Sequence, residues 1–461
     1  MNRASLRLVF YGDDFTGATD ALEVLSLAGL KCALFLQVPN AAVLAKYHGL
    51  DAFGIAGDSR TMSPEEMTEQ LPAVLHRLAS AGAPLVHYKV CSTFDSSPAI
   101  GSIGRVMEIA RPHFNDPCTP VVAATPHLGR YCAQGNLFAR SGTDGQVYRL
   151  DRHPIMSVHP VTPMGEADLA VHLGRQASLR IEKLPLDEVR QGPDAMRSRF
   201  EGMRRAGADG VLVDGWDADD MRAVGQMLLT LGRPAAPVLV VGGSGVEHAL
   251  TLAWDLPRDA GTVPPVQPLP ADAPVLAMSG SASALSAAQI DEAVRSGYVE
   301  VALDTPRLVT EHGWQAHVDE VCSRAAEQMA GGRSVILHSA RGPQDPRVAA
   351  TLQALDANGI SGARARHIGG RLLATRLGGL MKSVVVAARP RRLLISGGDT
   401  SSAIARALDI QAVEVAARLA PGAPLCRVLE SSCVPGLEVA FKGGQMGSRT
   451  FFNEARCGND S

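Results

Sequence analysis

The chain lacks any run of about 18 uninterrupted apolar residues, so no membrane-spanning helix and no membrane partner are expected. No charged-then-apolar leader precedes the first strand-like run, Leu6–Tyr11. It also lacks a CxxC pair, and its eight cysteines (32, 91, 118, 132, 322, 426, 433 and 457) are scattered over the whole length. That scatter speaks against a zinc site or a disulfide framework, and for reduced thiols in a cytoplasmic protein. No long basic run occurs and the formal net charge is −3, so no nucleic acid is expected as partner. The short basic stretch Arg389–Arg392 reads as a solvated strand entry. Neither GxxxxGK[ST] nor GxGxxG is present, which removes a Walker loop and the common dinucleotide fingerprint. Aromatic residues are only 4%, while Ala and Gly abound, a composition suited to helices packed closely on sheets.

What the chain does contain is alternation. Its 461 residues exceed one ordinary core, so two domains are expected. Short apolar runs (Leu6–Tyr11, Ala33–Gln37, Ala52–Ala56, Leu85–Val90, Val121–Ala124, Gly210–Val213, Val238–Val241) alternate with helical stretches such as Gly17–Gly29 and Ser63–Ala81. The second of these opens Ser-Pro-Glu-Glu, a cap followed by proline at the first helical position. Residues 257–274 hold six prolines and no periodicity, which reads as a linker and part of a hinge. Alternation resumes with strands at Val275–Ser279, Val299–Leu303, Ser334–His338, Leu393–Ser396 and Leu437–Phe441. Helices are expected near 283–296, 314–330, 345–358, 369–388 and 401–408, and the polar tail after Phe452 reads as frayed. The fold class is α/β: two domains, 1–256 and 275–461, each a mainly parallel sheet flanked by helices, with the active site in the cleft between them.

Chemistry gathers at strand ends, where unpaired backbone N–H groups and helix dipoles face a crevice. In the second half, SGGDTSS (Ser396–Ser402), MSGSAS (Met278–Ser283) and FKGGQMG (Phe441–Gly447) each follow a strand. Their glycines admit a ligand close to the backbone, and Lys442 adds a point charge, an arrangement suited to nucleotide phosphates. In the first half, Asp13 and Asp14 stand at a strand end before Thr16 and Gly17. They suit a metal, a substrate hydroxyl or a polyol, although Asp14 also fits a helix cap. Arg60, in GDSRTM (Gly57–Met62), is placed to grip a carboxylate or a surface acid. Lys89 lies in an apolar strand, where it needs a partner; it reads as part of a site for an acidic substrate or as half of a structural ion pair. His153 and His159 suit a substrate-contact loop better than a metal, and GGSG (Gly242–Gly245) offers further backbone donors or a plain turn.

Taken together and in order, DDFTGATD, DSR, KVCSTFDSS, GGSG, SGSAS, GGDTSS and KGGQMG resemble the four-carbon acid sugar kinase family. The resemblance covers nearly the whole chain, and KVCSTFDSS is most like its 3-oxo-tetronate branch. KGGQMG stands where KSGNFG is commoner, and SGSAS lacks the usual cysteine. The resemblance implies an N-terminal acid-sugar domain and a C-terminal nucleotide domain, with ATP and Mg²⁺ as cofactors. It implies phosphorylation at the terminal C4 hydroxyl of a 3-oxo-tetronate, threonate or erythronate. ATP would meet Ser279, Ser281, Gly397, Gly398, Asp399, Thr400, Lys442 and Gly443. The acid would lie against Asp13, Asp14, Asp58, Arg60, Lys89 and Ser92, its carboxylate held by Arg60 and Lys89. Asp14 is the expected base, with Asp399 its rival or an orienter of Mg²⁺. Rival readings are a non-catalytic acid or nucleotide sensor and a dehydrogenase or aldolase. A symmetric homodimer is the generic expectation at this size.

Overall fold

The computed structural model describes residues 6–142, 145–159, 162–256, 263–270, 273–362 and 368–458. It divides into two compact units, Met1–Thr262 and Val263–Ser461. Of the expected linker, 257–262 and 271–272 lie outside the described residues. Residues 263–270 pack on the second unit: Val266 is buried in its core, and Val266 N donates to Arg418 O over 3.1 Å.

In the first unit the strands are β1 (Leu8–Gly12), β2 (Cys32–Phe35), β3 (Ala52–Ala56), β4 (Leu85–Lys89), β5 (Thr119–Val122), β6 (Arg130–Ala133), β7 (Asn136–Arg140), β8 (Val147–Arg149), β9 (Ile181–Leu184), β10 (Gly210–Val213) and β11 (Val238–Gly242). Eight of them pair in parallel in the order β2-β3-β1-β4-β11-β5-β10-β9. Strands β6–β8 form a separate antiparallel sheet. Near-continuous apolar strands such as Leu8-Val9-Phe10 are fully buried, as a sheet covered on both faces requires. Helix Pro64–Ala79 starts with the anticipated cap, Ser63 and Glu66 exchanging hydrogen bonds in a capping box.

The second unit contains β12 (Val275–Ser279), β13 (Val299–Ala302), β14 (Val335–His338), β15 (Arg392–Ser396), β16 (Ile410–Ala420), β17 (Ala423–Ser431) and β18 (Glu438–Lys442). Their order is β13-β14-β12-β15-β18-β17-β16, with β16 and β17 antiparallel. The expected helices appear at Ala284–Arg295, Trp314–Ala330, Pro346–Ala357, Gly370–Ala388 and Gly398–Ala407.

Two expectations need correction. Arg392 is not a solvated strand entry. It is buried, paired with Glu438 at 2.5 Å, and donates to the carbonyls of Gln267 and Ala455. The tail is not frayed through Cys457: Phe451–Cys457 is a helix whose Phe451, Phe452 and Ala455 are buried.

In each unit two adjacent strands send the chain to opposite sides. From β1 it runs to β2 and from β4 to β5; from β12 it runs to β13 and from β15 to β16. Such switch points open a crevice at the carboxyl ends of the strands, where open α/β sheets bind ligands.

Candidate functional site

At the first switch point, Gly12 ends β1 and lets a helix begin directly over the strand end. A methyl group there would lie 2.7 Å from the Ala18 methyl. Asp13 N donates to Lys89 O across 2.8 Å, which locks the two loops together. Asp14 caps helix Phe15–Leu27, accepting from Gly17 N at 2.8 Å and from the Thr16 hydroxyl at 2.7 Å. Arg60 sits in the short turn Ser59–Thr61 after β3. Its fork takes both oxygens of Asp13, at 3.1 and 2.7 Å, and Nη2 lies 3.0 Å from Asp14 Oδ1. Lys89, the last residue of β4, is buried and pairs with Asp20 at 3.5 Å. Glycine at 17 makes this possible, since a methyl group there would stand 2.6 Å from Lys89 Nζ.

Asp13, Asp14, Arg60 and Lys89 are thus brought into one buried network, together with Asp20. Sequence reasoning did not single out Asp20, although it lies one helical turn beyond Thr16 and Gly17 on the same face. Three carboxylates face two cations. Burial raises the Asp13 pKa despite Arg60. Burial also pulls on Asp14, but Arg60 and Lys89 outweigh it and hold that carboxyl below its ordinary range. Burial opposes the charge of Lys89, yet Asp20, Asp14 and Asp13 keep its pKa raised. The network can therefore hold fixed charge away from water and present it to polar ligand groups.

Asp58 begins the Arg60 turn, and its carbonyl accepts from the Thr61 hydroxyl. Ser92, just past β4, lies beside Gly243, where a methyl group would come 3.3 Å from Ser92 Cα. Beyond it Cys91, Thr93 and Asp95 form a hydrogen-bonded chain. The histidine segment serves its own loop. His153 Nδ1 accepts from Ile155 N and Met156 N, and His159 Nδ1 accepts from Thr162 N. Among the described residues no three His, Cys, Asp or Glu side chains gather as metal ligands.

At the second switch point the three glycine turns converge. Gly280 N donates to Ser396 O, and Gly397 N to Lys442 O. Gly397, at φ +117°, closes on Gly280 and Ser281; a methyl group at 280 would overlap the Thr400 hydroxyl, and one at 444 the Ser281 hydroxyl. Gly397, Gly398, Asp399 and Thr400 thus start helix Gly398–Ala407 at the mouth of the crevice. Gly443 and Gly444 are held by helix Ala284–Arg295: Ser283 and Ser286 donate to Gly444 O, and Gln289 donates to Met446 O and Ser448 O. Ser279 Oγ, at the end of β12, and Ser401 Oγ, near the start of helix Gly398–Ala407, are buried without a hydrogen-bond partner. A phosphate chain fits such a donor set. Lys442 is more enclosed than its place in a glycine turn suggests. It is fully buried, donates to Gly443 O at 3.0 Å and stands 5.5 Å over the Phe451 ring. Burial pulls its pKa down to about 7.

The comparisons agree with this two-part layout. Residues 8–250 match the model for a sugar-binding N-terminal domain, and residues 276–452 the model for a nucleotide-binding C-terminal domain. The chain is 41% identical to a 3-oxo-isoapionate kinase of Paraburkholderia graminis, over 99% of its own length and 95% of the relative's. It is 31% identical to a 3-oxo-tetronate kinase of Cupriavidus necator, over 96% and 95%. A solved structure from Salmonella typhimurium LT2, described as a tRNA synthase, shares the fold at TM-score 0.74 over 98% of both chains with 23% identity. The kinase relatives, matched over nearly the whole chain, define a phosphotransferase. The chain belongs to the four-carbon acid sugar kinase family. No described helix is long and apolar enough to cross a membrane.

Proposed function

We propose that this protein transfers the γ-phosphoryl group of ATP to the terminal hydroxyl of a 3-oxo acid sugar of the tetronate or isoapionate type. The observation that carries the reading is the pairing of a charged, buried polyol-type network at one switch point with a glycine and hydroxyl cradle at the other. The names of the relatives support the 3-oxo acid, and the 41% relative favours the isoapionate type. Asp13, Asp58, Arg60, Lys89 and Ser92 frame the acid. Asp14 takes the hydroxyl proton. Its lowered proton affinity is tolerable, because a loose phosphoryl-transfer transition state asks little of its base. Asp399, in the first turn of its helix, orients Mg²⁺ through water or replaces Asp14 as base. Mg²⁺ would enter with ATP, held chiefly by phosphates and water. Ser279, Ser281, the turn Gly397–Thr400 and Gly443 hold the phosphates. Lys442 acts on them through its field from beneath the loop.

The test is an ADP-release assay with ATP and Mg²⁺ over 3-oxo-isoapionate, the 3-oxo-tetronates, the threonates and the erythronates. Turnover is expected on a 3-oxo acid. ATP binding with no turnover on any acid would sink the kinase reading in favour of a sensor, and NAD binding would favour a dehydrogenase.

A further inference from the structure

Arg60 is committed to Asp13 and Asp14, and Lys89 to Asp20, so the network around them has no cation to spare for a substrate carboxylate. Close to Ser92 lies a second group of polar side chains whose partners are missing. It comes from two segments, Thr125–Arg130 after β5 and Ser244–His248 after β11. They pack together: methyl groups at Gly243 and Gly245 would lie 2.9 and 3.0 Å from Thr125 Oγ1, and the His127 and His248 rings are 4.6 Å apart. Thr125 and Ser244 are fully buried, and each hydroxyl has no hydrogen-bond partner. Arg130 Nε and His248 Nδ1 are likewise buried and unpartnered. Arg130 donates through Nη1 to the Leu128 and Arg140 carbonyls, but no carboxylate pairs with it among the described residues. Native proteins rarely leave so many buried polar atoms unsatisfied in one place. Thr125 and Arg130 exchange both backbone hydrogen bonds as a directly opposed pair, so a guanidinium without a counterion and an idle hydroxyl leave the backbone on the same side, a donor set that suits a carboxylate.

We propose that Arg130, with the hydroxyls of Thr125 and Ser244, binds the carboxylate of the acid substrate and thereby selects acids over their neutral analogues. The inference rests on the acid-sugar reading above. His248 adds no competing charge, because burial pushes its pKa down to about 4. Glycine at 243 and 245 lets the two segments approach this closely, since a methyl group at 245 would collide with the Ala124 carbonyl.

Calorimetric titration of the full chain, without nucleotide, with D- and L-threonate, D- and L-erythronate and the four corresponding amides reads the carboxylate directly. Acid should bind at least about tenfold tighter than its amide. Arg130→Gln should weaken acid binding about 10- to 100-fold and abolish the preference, while amide binding holds and shows the loop intact. Arg130→Lys should restore part of the preference. A preference that survives in Arg130→Gln overturns the assignment and returns the carboxylate to Arg60 and Lys89. Thr125→Val with Ser244→Ala should weaken acid binding about 3- to 10-fold; unchanged affinity would mean that these hydroxyls hold only water. Acid binding through Arg130 without ADP release on any acid would end the kinase reading and leave this site standing.

Discussion

The two switch points solve one geometric problem with opposite materials. At the first, charged side chains stand at or just past the ends of β1, β3 and β4, where Asp13, Asp14, Asp20, Arg60 and Lys89 form a network. At the second, β12 and β15 end in serine and β18 in the buried Lys442, each followed by glycine, and the polar groups are backbone N–H groups with the Ser279 and Ser401 hydroxyls. The difference follows from the ligands proposed. A polyol acid has few charges and many hydroxyls, so it must be read by directed side chains. A phosphate chain is bulky and highly charged, and close-set main-chain donors suit it without any salt bridge. Buried charge networks add little net stability, because desolvation cancels much of the attraction. The first site is therefore expected to tolerate little change in charge, and the second little change in volume.

The largest effect should come from charge at the first site. Asp14→Asn keeps the helix cap, since asparagine caps as well as aspartate, but removes the base. We expect kcat to fall about 10²- to 10⁴-fold, and the melting temperature to drop as well because Arg60 loses one of its two carboxylate partners; full activity would move the base to Asp399. Volume at the second site comes next. Gly280→Ala collides with Thr400 and should weaken ATP binding about 5- to 100-fold while acid binding stays put. A fluorescent-nucleotide titration beside an acid titration reads both, and loss of acid binding alone would reverse the comparison. Gly17→Ala is the mirror test. It presses on Lys89 Nζ and should weaken acid binding roughly tenfold without touching ATP.

The smallest effect is electrostatic and lies at the second site. Lys442, with its pKa near 7, is about half charged at neutral pH, and an anion nearby favours the charged form. ATP binding should therefore take up a fraction of a proton at pH 7 and tighten as pH falls from 8 to 6. Calorimetry in buffers of different ionisation enthalpy measures that uptake, and Lys442→Met should abolish it. The sign for folding is the reverse of a usual lysine. The unfolded chain binds the proton more tightly, so Lys442 costs stability below its unfolded pKa, and the cost shrinks as pH rises from about 7 toward that value. Lys442→Met should melt at or above the parent protein at pH 7.

Much of this was legible in the sequence because parallel α/β units write their elements locally. Ala52–Ala56, Gly210–Val213, Val275–Ser279 and Trp314–Ala330 fall where periodicity puts them. The hairpin of β16 and β17 escaped. Its first arm is rich in alanine, a strong helix former, and pairing in the sheet holds it extended, even though Pro421–Gly422 marks the turn. The small sheet β6–β8 escaped too, being short and only half-buried. At the sites, Lys89 announced its need for a partner by lying in an apolar strand. Which acid answers it depends on the tertiary placement of Asp20. Arg130 and Thr125 carry no motif at all; only their missing partners, a property of the folded state, bring them to notice.

The helix Phe451–Cys457 sets an order in time. Phe451 lies beneath Lys442, the Tyr298 hydroxyl donates to Phe452 O, and Arg392 donates to Ala455 O. The floor of the glycine cradle is thus made from residues synthesised well after the whole of the first unit. The first unit ends at Thr262, and at about 5–20 residues per second its synthesis precedes that floor by roughly 10–40 s. During that interval the nascent chain carries the residues of the first switch point but not yet the floor of the second, so on the function proposed above it should not turn over ATP.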